Sequence, residues 1–217
     1  MLHDAAVEGD GAQLVRLSAA ISGADEATTR RVIDEVNGRV RAEMVDEVIL
    51  QSYLFAGFPR ALNAARMWRA ASGVRAPLSD DLAQSKHVAA WERDGEATCA
   101  IVYGESYDML RRNIRELHPA LDAWMITDGY GKVLSRPALD LKRRELCIVA
   151  ACAAAGQQRQ LHSHLHGALN SGASPDEVTE TLSALNDLVG EKELAGYQNL
   201  LARVLSGRAS QSSVNAE

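Results

Sequence analysis

Apolar residues recur at intervals of three and four positions along most of this chain. No stretch alternates apolar and polar residues as a half-buried strand does. The pattern therefore predicts an all-α fold, with three or four helices between residues 12 and 69. Gly57-Phe58-Pro59 predicts the end of one of these helices and the start of the next, because proline is favoured in a first helical turn. The apolar positions include Leu14, Leu17, Ile21, Val32, Val36 and Val40.

Downstream of residue 70 the sequence predicts a linker and a turn region as well as helices. Residues 71–96 mix proline, glycine, serine and both signs of charge, so they indicate a linker with one short helix. A turn region that contains glycine and proline is predicted at residues 129–140. Ser174, Pro175 and Glu177 form a capping-box pattern at a helix start. The helices predicted here span residues 107–117, 119–130, 141–155, 158–170, 174–188 and 192–205.

Two ionisable residues lie within otherwise apolar helical faces. At 3.6 residues per turn, Glu145 falls on the apolar face of its helix and His164 on that of the next one. A buried carboxylate is costly unless it is paired, so we expect Glu145 and His164 to meet as an acid/base pair. A core histidine with satisfied hydrogen bonds is the alternative. The same pattern directs Lys142, Arg143 and Arg144 away from this face.

An internal repeat divides the chain. Residues 46–48, Asp-Glu-Val, recur at 176–178, and residues 17–23 resemble 147–156. Where the second copy has Glu145 and His164 the first has Val15 and Asp34, so one copy is predicted to be active and the other structural. We expect a degenerate helical repeat, a linker, a helical repeat with the site, and a disordered tail poor in apolar residues. These segments cover residues 1–72, 73–99, 100–206 and 207–217.

Composition narrows the classes of partner. The chain has 217 residues, is 47% hydrophobic and carries a net charge of −6, with no basic block longer than residues 142–144. Neither nucleic acid nor a membrane surface is an expected partner. The acidic, polar start and the short apolar runs predict a cytoplasmic protein without a signal peptide or membrane span. Cys99, Cys147 and Cys152 lack metal-ligand spacing and are expected to be free thiols.

Two adjacent segments resemble a known family. YGKVLSRPALDLKRREL (130–146), followed by QLHSHLHGALNSGASPDEV (160–178), resembles the carboxymuconolactone decarboxylase family and the wider alkylhydroperoxidase D-like superfamily. DEVILQSYLFAGFPRALNA (46–64) also resembles it, but matches the part that ordinarily follows the histidine helix. The resemblance implies the alkylhydroperoxidase D-like all-α fold with an internal duplication, and assembly as a homo-oligomer.

The peroxidase branch of that superfamily has a glutamate, a Cys-x-x-Cys motif and then a histidine. At the corresponding spacing from Glu145, this chain has Gln157 and Gln160 at the cysteine positions and His164 at the histidine. Amide side chains can neither attack a peroxide nor resolve a sulfenate, so thiol peroxidase chemistry is not expected at this site.

The decarboxylase branch also lacks these cysteines. Resemblance to it implies a cofactor-independent carbon–carbon lyase of aromatic catabolism, which removes CO2 from a carboxylated lactone or similar small-molecule substrate. His164 is then the acid that protonates carbon, and Glu145 sets its tautomer. Arg136 is the candidate anion clamp and Tyr130 a further donor. The glutamines at 157 and 160 either line the substrate pocket or are exposed residues of a helix start.

Other functions stay open. A relocated thiol would give a thiol peroxidase-like oxidoreductase, and a non-catalytic binding or assembly protein would use the buried pair only to fix helix packing. His162 and His166 have the spacing of two metal ligands on a helix, but no third ligand is apparent, so no metal is expected. Tyr53, Phe55 and Phe58 are candidates for an apolar pocket wall, with core packing as the alternative.

Overall fold

Helices make up the regular structure of the computed structural model, which describes residues 4–214, and residues 10–210 including side chains. The all-α prediction is confirmed, since no strand occurs within these ranges. None of the described helices is long and apolar enough to cross a membrane. The α-helices are α1 (Asp4–Gly23), α2 (Glu26–Val36), α3 (Ala42–Ser72), α4 (Val88–Tyr103), α5 (Tyr107–Leu117), α6 (Pro119–Trp124), α7 (Leu141–Ala154), α8 (Gln158–Asn170), α9 (Pro175–Ser183) and α10 (Glu191–Val214), and a π-helix covers Met125–Leu134.

Capping side chains and one glycine set several helix boundaries. Asp25 and Asp140 accept hydrogen bonds from backbone N–H groups at the starts of α2 and α7. The predicted capping box of Ser174 and Glu177 is present at α9, with both reciprocal hydrogen bonds. Gly57 has non-helical angles (φ 77°, ψ 162°) and breaks α3 into two parts. The predicted interruption at this point is therefore confirmed.

Helix α7 lies at the centre of the fold. All of its residues from 144 to 153 are buried, so the helix is covered on every side. Helix α1 packs closely against it: Ser18 Oγ donates a hydrogen bond to the Cys147 carbonyl (2.7 Å), and a side chain at Gly23 would overlap the backbone of Ala154. The helices of both predicted repeats thus share one hydrophobic core.

The segment between residues 73 and 140 differs most from its prediction. The linker predicted over 73–99 ends earlier, because α4 begins at Val88. The turn region predicted over 129–140 is π-helical as far as Leu134. Gly95 of α4 and Gly131 of the π-helix explain the difference, since a side chain on either would overlap the backbone of the other element. These glycines serve close helix packing, and so the sequence prediction of a turn was wrong there.

The C-terminal part ends in a long helix. Helix α10 continues to Val214, so the predicted disordered tail, 207–217, overlaps it, and residues 215–217 lie outside the described residues. Arg208 Nη1 donates a hydrogen bond to Asn170 Oδ1 of α8 (2.8 Å). This contact ties α10 to the histidine helix within the segment expected to be disordered.

Candidate active site

Glu145 of α7 and His164 of α8 meet as the helical faces predict. Glu145 Oε2 lies 2.8 Å from His164 Nδ1. The two side chains are 0% and 5% exposed, respectively. Because a carboxylate only accepts hydrogen bonds, Nδ1 carries the shared proton and the ring is held through that nitrogen. Its other nitrogen, Nε2, has no hydrogen-bond partner among the described residues, so this atom is left to exchange a proton with a ligand.

A short turn fixes the two helices against each other. Gly156 has a positive φ of 68°, which favours glycine. The Gln157 N–H donates to the Cys152 carbonyl (2.8 Å) and the Gly156 N–H to the Ala153 carbonyl (3.2 Å), the pattern of a Schellman motif. The short connection makes α7 and α8 antiparallel neighbours, so local sequence alone brings Glu145 close to His164.

Gly167, one turn beyond His164, leaves room for the carboxylate. A Cβ atom at this position would lie 2.5 Å from Glu145 Oε2 and 2.7 Å from Val102 Cγ1. Both distances are shorter than side chains tolerate, so only glycine fits unless the side chains of Glu145 and Val102 move. Sequence reasoning did not single out Gly167, although its position one turn after the histidine was a visible signal.

Two tyrosines lie beside the pair. Tyr103 of α4 and Tyr130 of the π-helix meet edge to face, with ring centroids 6.2 Å apart. Burial raises the pKa of Tyr103 to about 12; the hydrogen bond with Tyr130 opposes this effect, and the Glu145 carboxylate adds to it. Burial also raises the pKa of Tyr130, as do Tyr103 and Glu145. Both phenols therefore stay protonated at neutral pH. Because their hydroxyls hydrogen-bond to each other, one phenol proton is left to donate elsewhere. Tyr130 was predicted, whereas Tyr103 was missed.

One oxygen of the carboxylate lacks a partner. Glu145 Oε1 is buried and accepts no hydrogen bond from the described residues. An unsatisfied buried acceptor costs about 1–3 kcal/mol, and more when it is charged. A proton or a hydrogen-bond donor at this oxygen would relieve that cost.

Aromatic residues of α3, in the first predicted repeat, lie near the pair. The Phe55 ring of α3 meets the His164 imidazole edge-on, with centroids 5.9 Å apart. Tyr53 and Phe58 stack on each other, with centroids 4.7 Å apart, and Phe58 is 62% exposed. Of the three aromatics proposed for a pocket wall, Phe55 thus lies against the histidine. In this copy Val15 is buried and Asp34 exposed, so they form no second pair.

The guanidinium of Arg136 is paired with carboxylates of the chain itself, whereas an anion clamp needs a guanidinium that faces the substrate. Its Nε donates to both carboxylate oxygens of Glu47 (2.9 and 3.0 Å), and its Nη2 to Asp80 Oδ2 (2.8 Å). These contacts are with α3 and the following segment, so the predicted role as an anion clamp beside His164 has no support. Arg144, which was expected to point outward, is fully buried because α3 covers it, and it donates to Glu47 (2.7 Å) and Gln51 (3.2 Å).

Residues 119–197 match the model of the carboxymuconolactone decarboxylase family. In this segment, which is less than half of the chain, the sequence is similar to that family. Two fungal proteins are also similar in sequence. Peroxisomal protein 2 of Saccharomyces cerevisiae is 27% identical over 170 residues, which cover 67% of this chain and 60% of that protein. Peroxisomal protein 2 of Schizosaccharomyces pombe is 28% identical over 154 residues, 70% of each chain. The chain thus spans about 60% of the length of the budding-yeast protein.

The family segment contains the glutamate and the histidine but no thiol site. Gln157 and Gln160 stand at the cysteine positions of the peroxidase branch. Both are exposed at the start of α8, which favours their interpretation as exposed residues of a helix start over a place in the substrate pocket. The cysteines are buried, and burial raises the pKa of each to about 12. A buried, protonated thiol is a poor nucleophile, so relocated peroxidase chemistry has no support. These residues are Cys99, Cys147 and Cys152.

The other two histidines of the family segment lie on a different face of α8. The rings of His162 and His166 have centroids 5.1 Å apart. They line a groove of about 640 Å³, which sequence reasoning did not find because its walls come from separate helices. Among the described residues, no group of three His, Cys, Asp or Glu side chains is placed to hold a metal ion.

Proposed function

We propose that this protein is an acid–base lyase that removes CO2 from a carboxylated lactone or a related small organic acid. One observation carries the proposal: Glu145 holds the buried His164 through Nδ1, and Nε2 has no partner among the described residues. A histidine oriented through one nitrogen and open at the other suits general acid–base catalysis. A histidine that only packed in a core would be expected to satisfy both nitrogens.

The reaction needs a proton donor and stabilisation of negative charge. The bond between the carboxylate carbon and the lactone carbon breaks, CO2 leaves, and the electron pair delocalises onto an adjacent carbonyl as an enolate. His164, protonated at Nε2, then gives this proton to carbon, and solvent restores it. The hydrogen-bonded phenols of Tyr103 and Tyr130 have one proton left to donate, and we propose that it goes to the enolate oxygen as a hydrogen bond. These steps use side chains of the chain itself and require no oxidant or reductant.

Release of CO2 from 4-carboxymuconolactone tests the reaction directly. For His164→Gln we expect kcat to fall by about 10²–10⁴-fold, because the positioned proton donor is lost. Glu145→Gln should also lower kcat, since an amide can donate to Nδ1 and stabilise the wrong tautomer. The matched control is His87→Gln, a histidine that pairs with Asp81 away from this site. Full turnover by His164→Gln, with all variants folded by circular dichroism, would contradict the proposal.

Location and assembly are proposed on separate grounds. The fungal relatives are named as peroxisomal proteins. We propose a reducing compartment for this chain, either the cytoplasm or a peroxisome, because its three cysteines are free.

Assembly as a homo-oligomer is supported by exposed apolar side chains of the kind that subunit contacts bury, among them Phe58, Leu62 and Trp124.

A further inference from the structure

The groove beside His162 and His166 lies between α4, α5, α8 and α10. Its volume of about 640 Å³ is within the range of small-molecule sites, roughly 300–1,000 Å³. Helices α8 and α10 contribute the two imidazoles, Asn170 and Arg208, while α5 contributes the apolar side chains of Met109 and Leu110 together with Asn113. A ligand that matches both sides has a polar end and an apolar body.

The two imidazoles are open to hydrogen bonds from a ligand. Neither ring has a hydrogen-bond partner among the described residues, although His166 is half-buried. Burial lowers the pKa of His166, and the positive charges of His162 and Arg208 lower it further. An anion beside the two rings would accept hydrogen bonds from their N–H groups and relieve the repulsion between their protonated forms.

The charges along the groove favour a single carboxylate. The ionisable groups on its walls are His162, His166, Arg208, Glu105 and the Tyr103 phenol. An imidazole that takes up one proton supplies a single positive charge, which matches one carboxylate better than a dianion such as phosphate.

A chain of hydrogen bonds holds the polar side in place. Arg208 Nη1 donates to Asn170 Oδ1 (2.8 Å), and Asn170 Nδ2 donates to the Val102 carbonyl (2.8 Å). Helices α10, α8 and α4 are thereby connected at the groove. A site whose polar groups are fixed before binding loses less conformational entropy when the ligand arrives.

We propose that this groove is a binding site for a small organic acid. The carboxylate accepts hydrogen bonds from the imidazoles of His162 and His166, and the apolar body packs against Met109 and Leu110. The site is distinct from the Glu145–His164 pair, which does not line the groove, so the proposal goes beyond the decarboxylation proposed above and does not depend on it. Tyr103 connects the two sites, because it lines the groove and packs against Tyr130 beside Glu145.

Titration of the full chain with benzoate, followed through the imidazole C–H signals by NMR, tests the site. Benzoate should shift the signals of His162 and His166 and raise the pKa of His166, since an anion stabilises the imidazolium. By linkage, benzoate should bind more tightly as the pH falls through the pKa of His166 and more weakly as it rises. Neutral benzamide should bind at least about tenfold more weakly, and inorganic phosphate, without an apolar body, should also bind more weakly.

Two variants locate the site. The double variant His162→Gln/His166→Gln should lower benzoate affinity at least about tenfold, while His87→Gln, outside the groove, should leave it unchanged. Met109→Ser should weaken benzoate binding but leave phosphate binding the same. Unchanged benzoate affinity in the double variant, or equal affinities for benzoate, benzamide and phosphate, would overturn the proposal. Because binding is measured without turnover, a negative result here leaves the decarboxylase proposal intact.

Discussion

At the scale of single residues, Gly167 determines how closely α8 approaches the Glu145 carboxylate. Its missing side chain leaves the space that Glu145 Oε2 and a methyl group of Val102 occupy. The same absence lowers helix stability, because glycine costs about 1 kcal/mol relative to alanine in a helix interior. The chain thus has a residue that is unfavourable for α8 at a point where the geometry of the acid/base pair requires it.

Gly167→Ala should therefore reduce turnover more than it changes stability. Overpacking costs about 1–3 kcal/mol and the gain in helix propensity offsets about 1 kcal/mol of it, while displacement of Glu145 disturbs the bond to His164. CO2 release and urea unfolding measure the two effects. Gly196→Ala is the matched control, since a Cβ there would lie within 4 Å of no described atom beyond its chain neighbours and its own helix backbone. It should stabilise α10 with unchanged turnover. Equal turnover in both variants would show that the close approach at Gly167 is not required.

The sequence predicts the acid/base pair because the information for it is local. Glu145 and His164 lie on adjacent helices joined by one short turn, so helical periodicity is enough to bring them together. Arg136 and Tyr103 show where this reasoning stops. The partners of Arg136 lie 56 and 89 residues away in sequence, and Tyr103 reaches the site only through the packing of α4. Periodicity carries no information about contacts between distant elements.

At the scale of elements, a buried ionic cluster joins α3 to α7. Glu47 of α3 accepts hydrogen bonds from Arg136 and from the fully buried Arg144. Gln51, one turn along α3, accepts from Arg144 Nη1 and donates to the Arg144 carbonyl (3.3 Å). Because Arg144 directly precedes Glu145, this cluster fixes the rotation of α7 that turns Glu145 toward His164.

Removal of Arg144 should leave Glu47 buried and only partly paired. Loss of one partner of a buried ion pair costs about 3–5 kcal/mol, and we expect Arg144→Met to lie near the lower value because Arg136 still contacts Glu47. The neighbouring Arg143→Met, which breaks an exposed pair with Asp140, should cost about 1 kcal/mol or less. Urea unfolding compares them. Similar losses in the two variants would mean that the buried cluster adds nothing beyond a surface pair.

At the scale of the whole molecule, the sequence predicts fold class better than it predicts packing. The helices, the break at Gly57 and the capping box at Ser174 follow from propensity and local chemistry. The division into two units separated by a linker does not describe the shared core around α7. Gly95 and Gly131 allow α4 and the π-helix to pack closely, and the segment predicted as a turn is therefore helical as far as Leu134. Such contacts depend on the partner helix, which a linear pattern does not specify.

Asp187 joins the two halves of the chain at the surface. Its carboxylate accepts hydrogen bonds from Arg16 of α1 (2.9 Å) and from Arg31 of α2 (3.1 Å), while Asp187 itself follows α9. The hydrogen bond from Arg16 lowers the pKa of Asp187 from 3.8 to about 2, and burial partly opposes this shift. The side chain is 41% exposed, so solvent screens much of the interaction.

The lowered pKa predicts how this contact depends on pH. Since the folded state holds the carboxylate ionised, the stabilisation is complete above the ordinary pKa of 3.8 and is lost as the pH falls toward about 2. Asp187→Asn should therefore be less stable than the parent chain by at most about 1 kcal/mol at pH 6, with the difference shrinking below pH 4. Urea unfolding across this range measures it, and about 1 M salt should shrink the difference at pH 6 by screening. A difference that persists at pH 2 and in salt would mean that packing, and not the charge of Asp187, joins these helices.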